Sequence, residues 1–368
     1  TVIPEGKKYI VNRYEIVQDY LFVETLEDVH SLLKIYNLNG KFLKEISLPL
    51  IGSIDVLIGE EDGKELFFNF SSYLIPNTIY RYDIKSKRSS EFKKVKLSLD
   101  DKLYVVKQVW YSSKDGTKIS MFIVHNKDLK LNGDNPTLLY GYGGFNINIT
   151  PGFNRTIIPF LEDGGIYAET ILRGGGEFGE KWHKAGMKNK KQNVFDDYIA
   201  AGEYLTKNKY TNPNKLALFG WSNGGLLVGA TITQRPDLAK VAIIGAPVLD
   251  MLRYHLFHGG RHWIQEYGSA EYKSEFKYLL KYSPYHNVKE GEKYPSVLIL
   301  TADKDDRVHP MHAFKMAARL QEANGSDNPI LIRIEAKAGH SGAAPIYKFV
   351  DQYSDMYSFI YWQLGMID

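Results

Sequence analysis

Gly220-Trp221-Ser222-Asn223-Gly224, followed by Gly225, fits the spacing G-x-S-x-G. Residues 215–220 (KLALFG) read as a strand leading into it, and residues 224–232 (GGLLVGATI) as a helix leading out. The flanking glycines permit a sharp strand-to-helix turn that lifts the Ser222 hydroxyl above the sheet edge, as a nucleophile requires. The Asn223 N–H, at the helix start, then faces the same point and can donate to a developing oxyanion. A glycine-rich turn without chemistry shares the bare pattern, but the strand before it and the helix after it favour a nucleophile.

A serine hydroxyl needs a base, and the base needs an orienting carboxylate; on a sheet of this kind they follow in the order Ser, Asp or Glu, His. Downstream, the apolar run 296–302 ends in Asp303-Lys304-Asp305-Asp306-Arg307-Val308, and the run 330–336 leads into Lys337-Ala338-Gly339-His340. Both loops therefore fall at the C-terminal ends of strands, where open α/β sheets place their sites. Spacing alone leaves Asp303, Asp305 and Asp306 as alternatives. His30, His125, His183, His255, His258, His262, His286, His309 and His312 are read as surface or packing residues. His255, His258 and His262 share helical spacing, as do His309 and His312, but no H-E-x-x-H pattern accompanies them and no metal site is expected. Arg173-Gly174-Gly175-Gly176 lacks the lysine of a phosphate-binding loop and reads as a tight turn.

The elements that must hold these residues fall into two textures. Residues 1–100 read as β-structure, with a hairpin signal at Asn39-Gly40 and a turn at Asp62-Gly63. Leu21-Phe22 aligns with Leu66-Phe67 at a spacing of 45, and residues 35–38 align with 81–84 at 46, as in propeller blades. From about Lys107, a hairpin through Asp115-Gly116 is followed by apolar runs of 5–7 residues alternating with amphipathic helical patterns. That alternation predicts an α/β fold with a doubly wound, mostly parallel sheet.

Composition narrows the chemistry. The 368 residues carry 46 basic and 43 acidic side chains, so a net charge of +3 gives no electrostatic case for nucleic acid or an anionic membrane. No cysteine is present, which excludes a thiol nucleophile and a thiolate metal site and suits a reducing compartment or a hot one. No apolar run approaches the roughly 20 residues of a membrane span. The start, Thr1-Val2-Ile3-Pro4-Glu5, has no basic-then-apolar signal layout and no initiator methionine. A cytoplasmic location is expected.

Taken together, LLYGYGGF (138–145), ILRGGGEFGEKWH (171–183), GWSNGGLL (220–227), LTADKDDRV (300–308) and KAGH (337–340) resemble the prolyl oligopeptidase family over residues 110–364. The resemblance implies an α/β-hydrolase domain, residues 101–368, preceded by an incomplete β-propeller of about two blades, residues 1–100. Propellers need roughly four or more blades to close. The chain is therefore expected to be part of something longer: a truncated product, or one half of an enzyme whose remaining N-terminal part is a separate partner chain. By the same resemblance, Ser222 matches the nucleophile, His340 the general base and Asp305 its orienting carboxylate. Tyr142 matches a hydroxyl that joins the Asn223 N–H at the oxyanion. Trp263 matches the indole that stacks on a substrate proline, in a charge-free pocket with Phe145, Val248, Tyr267 and Val308. Arg307 matches the arginine that holds a substrate carbonyl, with an ion pair to Asp305 or Asp306 as its structural alternative.

The implied activity is a serine endopeptidase that cuts proline-containing oligopeptides after proline, without cofactor or metal. A relative of other specificity (oligopeptidase B, an acylaminoacyl peptidase, an esterase) is the nearest alternative, and oligopeptidase B would need acidic pocket residues. A non-enzymatic binding module on a hydrolase fold is the more distant one. Trp221, where relatives often have a small residue, is expected to alter packing beneath the turn.

Overall fold

The computed structural model describes residues 2–3, 9–97, 99–340 and 345–367. Thr1 and Pro4-Glu5, part of the start read above for a signal layout, lie outside them. The chain forms two compact units: Thr1–Lys107 with Asn148–Pro159 and Glu177–Gly179, and Gln108–Ile147 with Phe160–Gly176 and Glu180–Asp368. Among the described residues, no helix is long and apolar enough to cross a membrane.

The first unit holds two four-stranded antiparallel sheets in simple meander order. One is β1 (Tyr9–Val17), β2 (Tyr20–Glu27), β3 (His30–Asn37) and β4 (Phe42–Ile46). The other is β5 (Ser53–Gly59), β6 (Glu65–Ser72), β7 (Ile75–Asp83) and β8 (Arg88–Lys94). Leu21-Phe22 and Leu66-Phe67 occupy the second strand of their respective sheets, so the 45-residue repeat is a repeat of whole blades. Asn39-Gly40 closes the β3–β4 hairpin with Gly40 at φ +81°, a conformation that only glycine adopts without strain. Alternation gives each blade an apolar face. Phe22, Leu33, Ile35, Leu66, Phe68 and Tyr82 pack into one core, with the Phe22 and Tyr82 rings edge to face at 5.6 Å. Glu24 is fully buried in β2 and is satisfied by Arg13, Asn12 and Ser31.

The second unit is built on one eight-stranded sheet. Its strands are β9 (Tyr104–Ser112), β10 (Lys118–Asn126), β11 (Thr137–Gly141), β12 (Ile166–Ile171), β13 (Leu216–Trp221), β14 (Val241–Gly245), β15 (Ser296–Ala302) and β16 (Ile330–Glu335). They lie in the order β16-β15-β14-β13-β11-β12-β10-β9, with every pair from β12 to β16 parallel. β13, β14 and β15 are apolar along nearly their whole length because both faces are covered. Covering helices include α1 (Gln192–Lys207), α2 (Asn223–Gln234), α3 (Met311–Ala323) and α4 (Ile346–Leu364). α2 ends at Gln234, two residues past the stretch 224–232 read as a helix. Arg235 precedes Pro236, and the proline ring excludes the helical conformation from the residue before it.

Arg173 shows why its glycine-rich run is a tight turn. Arg173 is 4% exposed, and its guanidinium donates to both carboxylate oxygens of buried Asp197 in α1, to Asp115 and to Ser113. Its donors are committed to the fold. Burial raises the Asp197 carboxyl and Arg173 pulls it back, so the acid depends on its partner. Arg173→Met should lower the unfolding free energy by about 3–5 kcal/mol, because it strands a buried carboxylate. Adding Asp197→Leu should recover most of that loss in urea titrations, whereas additive losses would show that the pair is not the cause.

Candidate active site

Ser222 lies between β13 and α2 with φ 61° and ψ −114°, a backbone state that is costly for any residue with a Cβ. Two glycines make the turn sterically possible. A Cβ on Gly220 would stand 2.1 Å from the Gly224 carbonyl oxygen, and one on Gly224 would stand 2.6 Å from that of Gly141. The Ser222 N–H donates to the Gly245 carbonyl at 2.8 Å, which ties the turn to β14. The Trp221 ring lies against the Gly245 backbone, where a Cβ would come within 2.1 Å of it. The expected packing effect of Trp221 is thus a contact beside the turn, between neighbouring strands.

The loops after β15 and β16 are laced together. Asp303 N donates to the Glu335 carbonyl at 3.1 Å, Lys304 N to that of Ala338 at 3.1 Å, and Lys337 N to Asp303 Oδ1 at 2.6 Å. This lacing brings His340 to Asp305, with Nδ1 donating to Oδ2 at 2.7 Å. Asp305 is 2% exposed, and its other oxygen accepts from Arg307 N at 3.0 Å and Val308 N at 2.8 Å. Of the three aspartates left open by spacing, the one bonded to histidine is Asp305; Asp303 serves the loops and Asp306 is exposed. Asp305 therefore fixes one imidazole tautomer, leaving Nε2 as the acceptor. Among the described residues no hydrogen bond joins the Ser222 hydroxyl to His340. Such bonds are often long before substrate arrives.

Beside Ser222 opens a cavity of about 260 Å³ lined by Tyr142, Phe145, Ile147, Ser222, Val248, Trp263, Tyr267 and Arg307. Phe145 meets Trp263 and Tyr267 edge to face, at 6.5 and 5.4 Å, and Tyr254 stacks on Trp263 at 6.4 Å. The sequence missed Ile147, a half-exposed side chain in no motif. Val308 is buried and does not line the cavity; its backbone N–H instead serves Asp305. Among the described residues the Arg307 guanidinium forms no ion pair with Asp305 or Asp306, and Arg307 lines the cavity, so the pocket is not the charge-free one expected.

Tyr142 follows β11 and shares the cavity wall with Ser222. Burial pushes its phenol up to about 12, the Glu266 charge adds to the rise and Arg307 opposes it, so the group stays a neutral donor near pH 7. Asn223 begins α2, where the backbone N–H has no acceptor within the helix. Its side chain, which the sequence assigned no role, donates to the Tyr142 carbonyl at 2.5 Å and accepts from the Tyr267 hydroxyl at 2.9 Å. Chemically, the arrangement offers a strained serine, an imidazole held by a buried carboxylate, two donors beside the serine and an apolar cavity. Such a set suits acyl transfer.

Two family models match: "Prolyl oligopeptidase family" over residues 151–366 and "Prolyl oligopeptidase, N-terminal beta-propeller domain" over residues 1–95. The chain is 49% identical to a prolyl endopeptidase of Elizabethkingia miricola over 94% of its own length and 49% of that protein's. It is 41% identical to a prolyl endopeptidase of Dictyostelium discoideum over 97% and 48% of the two lengths. A solved structure from a study of two prolyl endopeptidases matches with TM-score 0.93 at 47% identity, covering 100% of this chain and 54% of that one. Prolyl oligopeptidase B from Galerina marginata matches with TM-score 0.92 at 38% identity, over 99% and 52%. The chain spans about half the length of the curated relatives it matches. With both family models and these identities in agreement, the chain belongs to the prolyl oligopeptidase family.

Proposed function

We propose that this chain carries the catalytic machinery of a serine endopeptidase that cuts short peptides on the carboxyl side of proline. Residues 101–368 form its catalytic domain and residues 1–100 about two propeller blades. The observation that carries the reading is the cavity beside Ser222, whose walls apart from Ser222 and Arg307 are aromatic and aliphatic and include no carboxylate. A proline ring is compact and uncharged, and it gains from lying flat on the Trp263 indole. A pocket for arginine would need a buried anion, which disfavours the basic-specific relatives.

In the reaction, His340 Nε2 takes the Ser222 proton as Oγ bonds to the carbonyl carbon of proline. The carbonyl oxygen, now an anion, receives hydrogen bonds from the Tyr142 hydroxyl and the Asn223 N–H. Asp305 stabilises the imidazolium through Nδ1–H. That imidazolium returns its proton to the leaving amine as the C–N bond breaks. Water, deprotonated by His340, then bonds to the acyl carbon, and His340 returns that proton to Ser222 Oγ as the proline acid leaves. Arg307 holds a carbonyl of the bound peptide at the cavity rim.

Two measurements test this reading. A chromogenic Gly-Pro substrate should be cleaved with kcat/KM at least about tenfold above its Arg counterpart, and Ser222→Ala should abolish turnover. Faster cleavage after Arg would sink the proline specificity. Tyr142→Phe should lower kcat by about 10²-fold, a typical cost for one oxyanion donor. Because the phenol is raised to about 12, its proton remains through pH 10, where an ordinary tyrosine ionises. The ratio of wild-type to Tyr142→Phe kcat should therefore stay flat from pH 8 to about 11. A ratio that collapses near pH 10 would show that Tyr142 is not the buried donor described.

A further inference from the structure

The loop that carries Tyr142 is held from behind by a buried charged cluster. Three anchors act on its backbone. Asn223 Nδ2 donates to the Tyr142 carbonyl at 2.5 Å, Lys191 Nζ donates to that of Gly143 at 2.8 Å, and Glu266 Oε1 accepts from Phe145 N at 3.1 Å. All three side chains are at least nine-tenths buried. Glu266 Oε1 also lies 3.8 Å from Lys191 Nζ, and Oε2 accepts from His183 Nε2 at 2.8 Å. The Lys191 ammonium sits 5.4 Å from the centre of the Tyr267 ring, whose hydroxyl bonds Asn223.

An ammonium and a carboxylate removed from water cost several kcal/mol each before pairing, and apolar packing usually serves stability as well or better. Stability alone is therefore a poor reason for Lys191 at 1% exposure. The loop supplies a better one. Phe145 and Asn146, neither a glycine, have φ of 59° and 56°, so the segment is strained and needs partners that over-determine it. Burial pushes Lys191 down to about 8, with the Glu266 charge opposing the fall, so the cation near pH 7 depends on that carboxylate.

We propose that Lys191 and Glu266 are positioning residues for the oxyanion site: by gripping the Gly143 carbonyl and the Phe145 N–H, they aim the Tyr142 hydroxyl at the point beside Ser222. Neither touches substrate. Both act through the backbone on either side of Gly144, so their effect on the reaction passes through the phenol. This inference rests on the hydrolase reading of Ser222 but not on proline specificity.

The test is a double-mutant cycle read by Ser222 phosphonylation with a fluorophosphonate probe. In that reaction Oγ bonds to phosphorus, fluoride leaves, and the phosphoryl oxygen takes the oxyanion position without any proline in the probe. Lys191→Met should slow labelling by about tenfold when Tyr142 is present and by less than about twofold in the Tyr142→Phe background. Multiplicative losses in the two backgrounds would overturn the inference, because a general loss of stability does not depend on the phenol. If Lys191→Met yields no folded protein, Glu266→Gln replaces it in the same cycle with the same criterion. Glutamine keeps an acceptor for Phe145 N while removing the charge. Wild-type chain that fails to label at all would overturn both the hydrolase reading and this inference, whereas labelling with multiplicative losses sinks only the latter.

Discussion

A serine at φ 61° and ψ −114° carries a backbone cost of order 1–3 kcal/mol, and the fold pays it at one place, between β13 and α2. The strain persists because each side of the turn is fixed independently. β13 is hydrogen-bonded into the middle of an apolar sheet, α2 is buried along nearly its whole length, and the Ser222 N–H is bonded to β14. Close packing of Gly220 against Gly224, and of Gly224 against the end of β11, leaves no room for a relaxed alternative. Everything else at the site is arranged around this fixed hydroxyl. The start of α2 places the Asn223 N–H beside it, the end of β11 delivers Tyr142, and the ends of β15 and β16 deliver Asp305 and His340.

These suppliers differ in how they are held. Asp305 and His340 sit on loops whose backbones are stitched to each other, with Asp303 and the Glu335 and Ala338 carbonyls as the stitches. Tyr142 sits on a loop held by side chains from elsewhere in the unit: Asn223 from α2, Lys191 just before α1, and Glu266 from the short helix Ile264–Tyr267. That same short helix ends in Tyr267, and Trp263 directly precedes it. One small element thus borders both the cavity and the loop that carries Tyr142.

Much of this was legible in the sequence, for physical reasons that differ from residue to residue. Ser222 announces itself because the turn's sterics demand glycines at fixed offsets. β13 to β15 are legible because a strand covered on both faces must be apolar throughout, and the blades because a half-covered strand alternates. Asp305 could not be separated from Asp303 and Asp306 by spacing, since the choice depends on how two loops lace across neighbouring strands. The family resemblance pointed to Asp305, and the 2.7 Å bond to His340 is the geometric counterpart. Lys191 lies in the run Lys188-Asn189-Lys190-Lys191, which looks like a solvated charged stretch; only the tertiary fold reveals that one of its lysines is buried beside Glu266. Ile147 and the Asn223 side chain were silent for the same reason, and Val308 is a buried neighbour of Asp305 away from the cavity wall.

Ser222, activated by His340 and Asp305, should become acylated by a prolyl carbonyl. The most direct measurement is mass spectrometry of the chain quenched in acid during turnover of an activated Gly-Pro ester, followed by mapping of any adduct. One acyl group per chain should appear, on Ser222, and disappear as substrate is exhausted. An acyl group on any other residue, or turnover with no adduct on Ser222 when acylation outpaces deacylation, would contradict it.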